Sequence, residues 1–263
     1  MTGEARPSSR TSSAAAIAAV LAAALGFATP ALAGPVDVLR QGLFGNHHRD
    51  GREAAAPPIA RYITEDGDVF TLDRSQSKAF LKFDNSFEVW ALTPQQAPRG
   101  DTIYKNDLGE PVLRATRLGG VTVFTDHRPD GEAAALAGPG APLRLAIMGP
   151  QAVGERLLQA SFRASRAIRR LIPFEGEASP ASSALVADAA LVTSEAMVRL
   201  TKRADGRRLL EKIQKVRLTE GRRAQVELTD GVLLVTVAPP QGLAGRPSSD
   251  RILHQVAQPT GPN

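Results

Sequence analysis

The sequence predicts an α+β protein, in which an antiparallel β meander, curled sheet or barrel is followed by two to three helices and a C-terminal β-hairpin. Three observations predict this class. Between residues 61 and 125, short β-branched and aromatic runs recur at the roughly 8–12-residue spacing of a β-meander. Residues 152–216 instead repeat their apolar side chains with a helical period. Asp230-Gly231 then separates two β-branched runs, which is typical of a type I′ hairpin.

The first 33 residues have the three parts of a secretory signal peptide. Arg6 and Arg10 supply its positive charge, residues 14–27 are apolar, and Ala31-Leu32-Ala33 has the small residues that signal peptidase requires. The apolar part is shorter than the about 20 residues of a membrane span. We therefore expect cleavage between Ala33 and Gly34, and an exported protein that is periplasmic or secreted.

The composition narrows the compartment and the chemistry. The chain has 263 residues, a net charge of +5 and no Cys. The absence of Cys excludes disulfides, cysteine catalysis and thiolate metal sites, and favours a bacterial periplasm over a disulfide-dense secretome. Residues 34–58 are expected to form a flexible linker, in which the adjacent His47 and His48 are interpreted as solvated side chains rather than as metal ligands.

A β-rich region is predicted from residue 59 to residue 148. Its seven predicted strands are Arg61–Thr64, Val69–Leu72, Ala79–Phe83, Phe87–Leu92, Thr102–Lys105, Val112–Ala115 and Val121–Thr125. The links between them are too short for crossover helices, so the pairing is expected to be antiparallel. Arg99-Gly100-Asp101 is interpreted as a turn. Asp126–Pro142, rich in Gly and Pro, is predicted to be a loop, and Leu143–Met148 a further strand.

The helical region and the hairpin occupy residues 149–240 and are expected to pack with the sheet as one domain. The first helix is predicted over Ala152–Ile172, with an apolar face and an opposite basic face. The basic face contains Arg156, Arg163, Arg166 and Arg170. Guanidinium groups pair with phosphates and carboxylates, so this face is a predicted contact for anionic lipid or polymer. The alternative is a core-packed helix whose arginines pair with acidic residues of the same protein.

Two further helices and a short terminal one are predicted. The second runs from Ser179, as the N-cap, to Arg203, and its Glu195 is expected to pair with Arg199 one turn later. The third covers Arg207–Val216. Residues 241–263 are predicted to form a loose tail with a short helix at Ser249–Val256, capped by Ser249.

No recognised catalytic, metal-binding, phosphate-binding or nucleic-acid-binding motif is present in the sequence. No catalytic residue, metal or cofactor is therefore predicted. Asp126, His127 and Asp130 lie close together, and a carboxylate beside an imidazole is common in hydrolytic sites. This cluster keeps a hydrolase open as an alternative.

Three strings resemble an uncharacterised family of exported bacterial proteins known only as a domain of unknown function. They are FEVWAL (Phe87–Leu92), RGDTIYKNDLGEPVLRATRLGGVTVFT (Arg99–Thr125) and GRPSSDRI (Gly245–Ile252). The resemblance implies export but no activity, cofactor or site residue.

The sequence predicts an exported cell-envelope protein, non-enzymatic, that binds or scaffolds through its basic helical face. The alternatives are an envelope hydrolase with a site near His127, or a subunit of an envelope complex. The expected partners are anionic lipid, an envelope polymer or a protein, without nucleic acid and without a transmembrane span in the mature chain. The oligomeric state is left open.

Overall fold

A computed structural model describes residues 57–258. These residues fall within one compact unit. They form a closed antiparallel barrel, a set of helices and a second, four-stranded sheet, so the chain is α+β. The predicted signal peptide, its cleavage point at Ala31, Ala33 and Gly34, and the His47-His48 pair lie outside the described residues.

The barrel is a meander in which each strand pairs with the next one along the chain, and the last strand pairs with the first. Its strands are β1 (Ile59–Thr64), β2 (Val69–Asp73), β3 (Ala79–Phe83), β4 (Trp90–Gln96), β5 (Thr102–Lys105), β6 (Pro111–Ala115), β7 (Val121–Thr125) and β8 (Arg128–Pro139). Side chains fill its interior, as is usual for about eight strands. They include Tyr62, Phe70, Leu72, Leu81, Leu92 and Leu113, each at most 1% exposed.

Strand β8 closes the barrel, and the loop predicted over Asp126–Pro142 is wrong. β8 pairs with β7 on one side and with β1 on the other, and each pairing contains a register shift. Gly131 and Gly138, which indicated a loop, both have positive φ within this irregular strand. At Gly131 a Cβ atom would lie 2.7 Å from Thr122 Cγ2. The strand expected over Leu143–Met148 is absent, since that stretch has no regular structure.

Strand β4 begins three residues later than predicted, at Trp90 rather than at Phe87. Its pairing with β3 starts where Trp90 lies opposite Leu81. Glu88 precedes the strand and is buried, while Phe87 is 64% exposed. The Arg99-Gly100-Asp101 segment forms a turn, as predicted, and Asp101 is buried and paired with Arg114.

The helices pack on the second sheet around a separate apolar core. The elements, in chain order, are α1 (Pro150–Ile168), β9 (Phe174–Gly176), α2 (Ser183–Thr201), α3 (Gly206–Glu211), β10 (Lys215–Glu220), β11 (Gln225–Thr229), β12 (Val232–Val237) and α4 (Ser249–Ala257). The order in the sheet is β11-β12-β10-β9. β10 is parallel to both β9 and β12, whereas β11 and β12 form the antiparallel hairpin.

The predicted hairpin is confirmed, and it joins this second sheet. Asp230 and Gly231 connect β11 to β12 with φ of 50° and 80°, the two positive values that a type I′ turn requires. The third predicted helix, Arg207–Val216, is too long. It ends at Glu211, and β10 follows with Val216 and Leu218 buried on one side. The alternating pattern of β10 begins shortly after the helical pattern of α3 ends, so the predicted helix included the first two residues of the strand.

Helix α1 ends at Ile168, four residues before the predicted end. Arg169 adopts the left-handed conformation, with φ of 59°, and its N–H donates to the Ser165 carbonyl. The Ser165 hydroxyl accepts from the Ile172 N–H at 2.9 Å, and Ser161 Oγ donates to the Ile172 carbonyl at 2.8 Å. These two serines hold the chain as it turns back toward β9.

Helix α2 begins at Ser183 instead of directly after Ser179. The Ser179 carbonyl accepts from the N–H groups of Ser182 and Ser183, so a separate turn precedes the helix. The short terminal helix is present as α4, and Ser248, not Ser249, caps it by accepting from the Arg251 N–H at 3.0 Å. The segment leading into α4, predicted to be part of a loose tail, contains the buried Arg246.

Candidate functional site

The barrel and the helices are joined at a charged junction centred on Arg246. Its side chain is 2% exposed and forms ion pairs with Glu88, which precedes β4, and Asp188 of α2. Its guanidinium also donates to the Val89 carbonyl at 2.8 Å. Glu88 accepts from the Ser249 N–H at 3.0 Å. Burial raises the pKa of Glu88 despite the opposing effects of Arg246 and Ser249.

The N-terminus of α4 is attached to the turn between β5 and β6. Asp107, in that turn, accepts from the Ser248 N–H at 3.0 Å and from the Ser248 hydroxyl at 2.6 Å. Its carboxylate also pairs with Arg251. A carboxylate at a helix N-terminus is favourable because the free N–H groups there carry partial positive charge. Asp107 therefore fixes the orientation of α4 against the barrel.

Arg199 of α2 completes the junction. It pairs with Asp250 of α4 at 2.7 Å and with Asp126 of the β7–β8 turn at 3.0 Å. Burial raises the pKa of Asp250, against the lowering effect of Arg199. The predicted pairing of Arg199 with Glu195 is not formed, because Glu195 pairs with Arg163 of α1 instead.

The three sequence strings that carry the family resemblance meet at this junction. FEVWAL supplies Glu88, the second string supplies Asp107, and GRPSSDRI supplies Arg246, Ser249 and their neighbours. From the sequence, only Ser249 among these residues was assigned a role, as the cap of the short terminal helix, and none was assigned to an ion pair. The string GRPSSDRI is rich in charged and hydroxyl residues, which could have indicated a polar contact. The residues that these side chains and N–H groups contact lie more than 140 positions away, so the sequence did not identify them.

A cleft of about 240 Å³ lies beside the junction, at the end of the barrel formed by the β1–β2, β3–β4 and β7–β8 connections. It is lined by aromatic side chains, carboxylates and arginines, among them Phe83, Trp90, Glu88, Glu132, Glu195, Arg199 and His127. Most of its charged groups already have partners. Arg128 pairs with Asp66, and Glu132 accepts from the Asp66 N–H at 2.5 Å.

The Asp126–His127–Asp130 cluster does not form a carboxylate–imidazole pair in the described part of the chain. Asp126 pairs with Arg199, and all three residues are exposed. Within residues 57–258, no group of three His, Asp or Glu side chains is arranged to hold a metal ion.

The four arginines of the predicted basic face occupy different environments. Arg163 is half-buried, pairs with Glu195 and lies over the Phe87 ring at 5.1 Å. Arg170 donates to the carbonyl of Leu210, in the last turn of α3, and to the carbonyl of Ile213, just beyond that helix. Arg156 donates to Gln159 at 2.8 Å, and neither it nor Arg166 has a carboxylate partner among the described residues. Of the four, Arg156 and Arg166 are the two whose guanidinium groups contact neither a carboxylate nor the carbonyls near the end of α3 among the described residues.

Helix α1 presents apolar side chains to solvent beside Arg166. Leu158 and Phe162, one turn apart, are 61% and 74% exposed. They lie opposite the side of the helix that packs on α2 through Val153, Ala160 and Ala164. We call Leu158, Phe162 and Arg166 the outer face of α1.

The fold and the junction define a class of α+β protein in which a closed antiparallel barrel is bound to a helix-covered mixed sheet by buried ion pairs. Residues 38–256 match the model of a domain of unknown function, DUF4908, and the chain belongs to that family. No curated protein and no solved structure matches the chain.

Proposed function

We propose that this protein is an exported component of the cell envelope that binds an anionic partner without catalysing a reaction. The observation that carries the proposal is the outer face of α1, where Arg166 lies beside two exposed apolar side chains. Arg156, on the flank of the helix, adds a second charge without a carboxylate partner among residues 57–258. The charged junction supports a scaffolding role, since it fixes α2 and α4 against the barrel.

The signal-peptide pattern supports the envelope location, and the family match, which begins at residue 38, lies beyond the proposed cleavage point. Within residues 57–258, none of the helices has both the length and the apolar character that crossing a membrane demands.

The test compares R156Q/R166Q with the wild type and with R222Q/R223Q, which removes two exposed arginines from the β10–β11 turn. The probes are anionic vesicles and soluble polyphosphate, each measured by co-sedimentation or retention at rising salt. We expect R156Q/R166Q to lose affinity for the vesicles by roughly 30-fold, because each basic residue near an anionic surface contributes about 1 kcal/mol. R222Q/R223Q should bind as the wild type does. Rising salt should weaken the binding of the wild type to both probes.

Two results would contradict the proposal. One is a wild-type protein that binds neither probe; the other is equal loss in R156Q/R166Q and R222Q/R223Q. Cell fractionation tests the location independently. The proposal expects a chain that begins at Gly34 in the envelope fraction, and an intact chain in the cytosol contradicts it.

A hydrolase is the second proposal, because His127 lines the same cleft as Glu88 and Glu132. Its test is hydrolysis of purified envelope polymer by H127A and by H254A, a matched change on α4 outside the cleft. Loss of a general base reduces the rate about 100-fold or more. A hydrolase would show this loss in H127A only, and an inactive wild type ends the proposal.

A further inference from the structure

The exposed side chains of α1 are poorly explained by the fold itself. A single exposed Leu or Phe is common on soluble proteins. Here Leu158 and Phe162 lie one turn apart on the same side of α1, and Leu171, just beyond the helix, is 74% exposed. The core contacts of α1 come from the opposite side, where Val153, Ala160 and Ala164 are buried and Leu157 and Ile168 pack against the core. Leu158 and Phe162 contribute nothing to that core.

Positive charge predominates along α1 and just beyond it. Residues 150–172 contain five arginines and a single acidic residue, Glu155, which lies one turn before Leu158 on the same side and accepts from the Gln151 amide at 3.1 Å. Arg166 is next to Phe162 on the outer face, Arg156 lies on the flank, and Arg169 is exposed where the helix ends. The long aliphatic stem of Arg allows its charged group to reach phosphates at the level of lipid headgroups while the stem contacts apolar surface. An apolar strip edged by arginines is the arrangement of helices that lie in a membrane interface.

We propose that the outer face of α1 docks on an anionic lipid bilayer, with Leu158 and Phe162 entering the headgroup–acyl boundary and Arg156, Arg166 and Arg169 contacting lipid phosphates. The proposal rests on the anion-binding function given above and selects lipid among the anionic partners. A soluble polyanion satisfies the arginines but has no apolar phase for the two large side chains. A bilayer satisfies both sets, which is why it is the occupant that the charge and the exposure favour together.

The deciding variant is L158S/F162S, compared with L118S, which removes the 79% exposed Leu118 from the β6–β7 turn. The protein is used as purified from the producing cells, with its N-terminus determined by mass. The probes are vesicles of phosphatidylglycerol mixed with phosphatidylcholine, vesicles of phosphatidylcholine alone, and soluble polyphosphate. Both altered side chains are exposed, so folding is preserved, and unfolding midpoints equal to the wild type verify this.

We expect L158S/F162S to lose about ten-fold or more in affinity for the phosphatidylglycerol vesicles, since two large apolar side chains no longer leave water. Its retention on polyphosphate should be unchanged, and L118S should match the wild type on every probe. A second measurement uses the tryptophan emission of F162W, compared with that of the wild type, which contains Trp90 alone. The emission of F162W should shift to the blue on anionic vesicles and not on polyphosphate, whereas the wild type should show no shift.

The outcomes separate this inference from the function on which it rests. If L158S/F162S binds anionic vesicles as well as L118S does, or if F162W shows no shift, lipid docking is overturned while anion binding stands. If the wild type binds no anionic probe, both fail. Binding to a protein from the envelope fraction that is lost in L158S/F162S, without any vesicle binding, assigns the outer face to a protein partner and also overturns lipid docking.

Discussion

Arginines at the charged junction and arginines on α1 differ in what surrounds them. Arg246 is buried with two carboxylates and a carbonyl, and Arg199 is paired with carboxylates from two separate elements. Arg156 and Arg166 have no carboxylate partner within the described residues. The same residue type therefore fixes the architecture in one place and is available to a partner in the other. The difference shows that sequence position alone does not reveal which arginines are paired within the fold.

The largest loss of stability is expected when Arg246 is replaced. In R246M the carboxylates of Glu88 and Asp188 lose their shared cation, and Glu88 stays buried without it. Breaking a buried ion pair by removing one partner costs about 3–5 kcal/mol. Urea unfolding should show this loss for R246M, whereas R222M, at an exposed site, should stay within about 0.5 kcal/mol of the wild type. Equal midpoints for the two variants would show that the junction does not hold the two parts together.

A smaller change in the free energy of unfolding, in the stabilising direction, is expected when Glu88 is replaced by Gln. Because burial raises the pKa of Glu88, the folded protein binds its proton more tightly than the unfolded chain does. The contribution of Glu88 to stability is therefore fully present below its unfolded pKa of about 4.3 and is lost as the pH rises through the raised value. E88Q, which keeps an acceptor for the Ser249 N–H, should be at least as stable as the wild type at pH 7.

The pH series provides the control for this prediction. The difference in unfolding free energy between E88Q and the wild type should shrink as the pH is lowered toward 4, where Glu88 is itself protonated. A variant that is much less stable than the wild type at pH 7 would show that the Glu88 charge stabilises the junction.

The smallest effect on stability is expected on α1. R156Q/R166Q should unfold within about 0.5 kcal/mol of the wild type, because neither side chain has a carboxylate partner among residues 57–258. Thermal or urea unfolding measures this directly. A loss near that of R246M would mean that these arginines are structural as well, and the contrast between the two regions would disappear.

The antiparallel meander was predictable from sequence because its contacts are local. Each strand pairs with the next across a short turn, so turn residues such as Asp107-Leu108-Gly109 marked the boundaries without knowledge of the whole fold. Closure was not predictable, since it depends on the pairing of Tyr62 with Leu136, more than 70 positions apart. Strand β8 was also predicted as a loop because it contains Gly131 and Gly138, and glycine is typical of loops.

Most of the second sheet was not predicted, because its pairings also join residues that are far apart in the sequence. β9 has three residues, and its partner β10 follows α2 and α3 in the chain, so the pairing joins residues about 40 positions apart. The basic face of α1 was predicted as a unit, yet Arg163 and Arg170 are used internally because of Glu195 and the end of α3. Periodicity locates a side chain around a helix axis, whereas its partner is determined by tertiary packing.

Hydrogen–deuterium exchange of the full protein, with and without phosphatidylglycerol-containing vesicles, tests the central contrast most directly. We expect slower exchange over Pro150–Ile168 and the residues that follow to Leu171, with unchanged exchange in the barrel turns that contain Asp107 and Asp126. Protection confined to those turns, with α1 unaffected, would contradict this expectation.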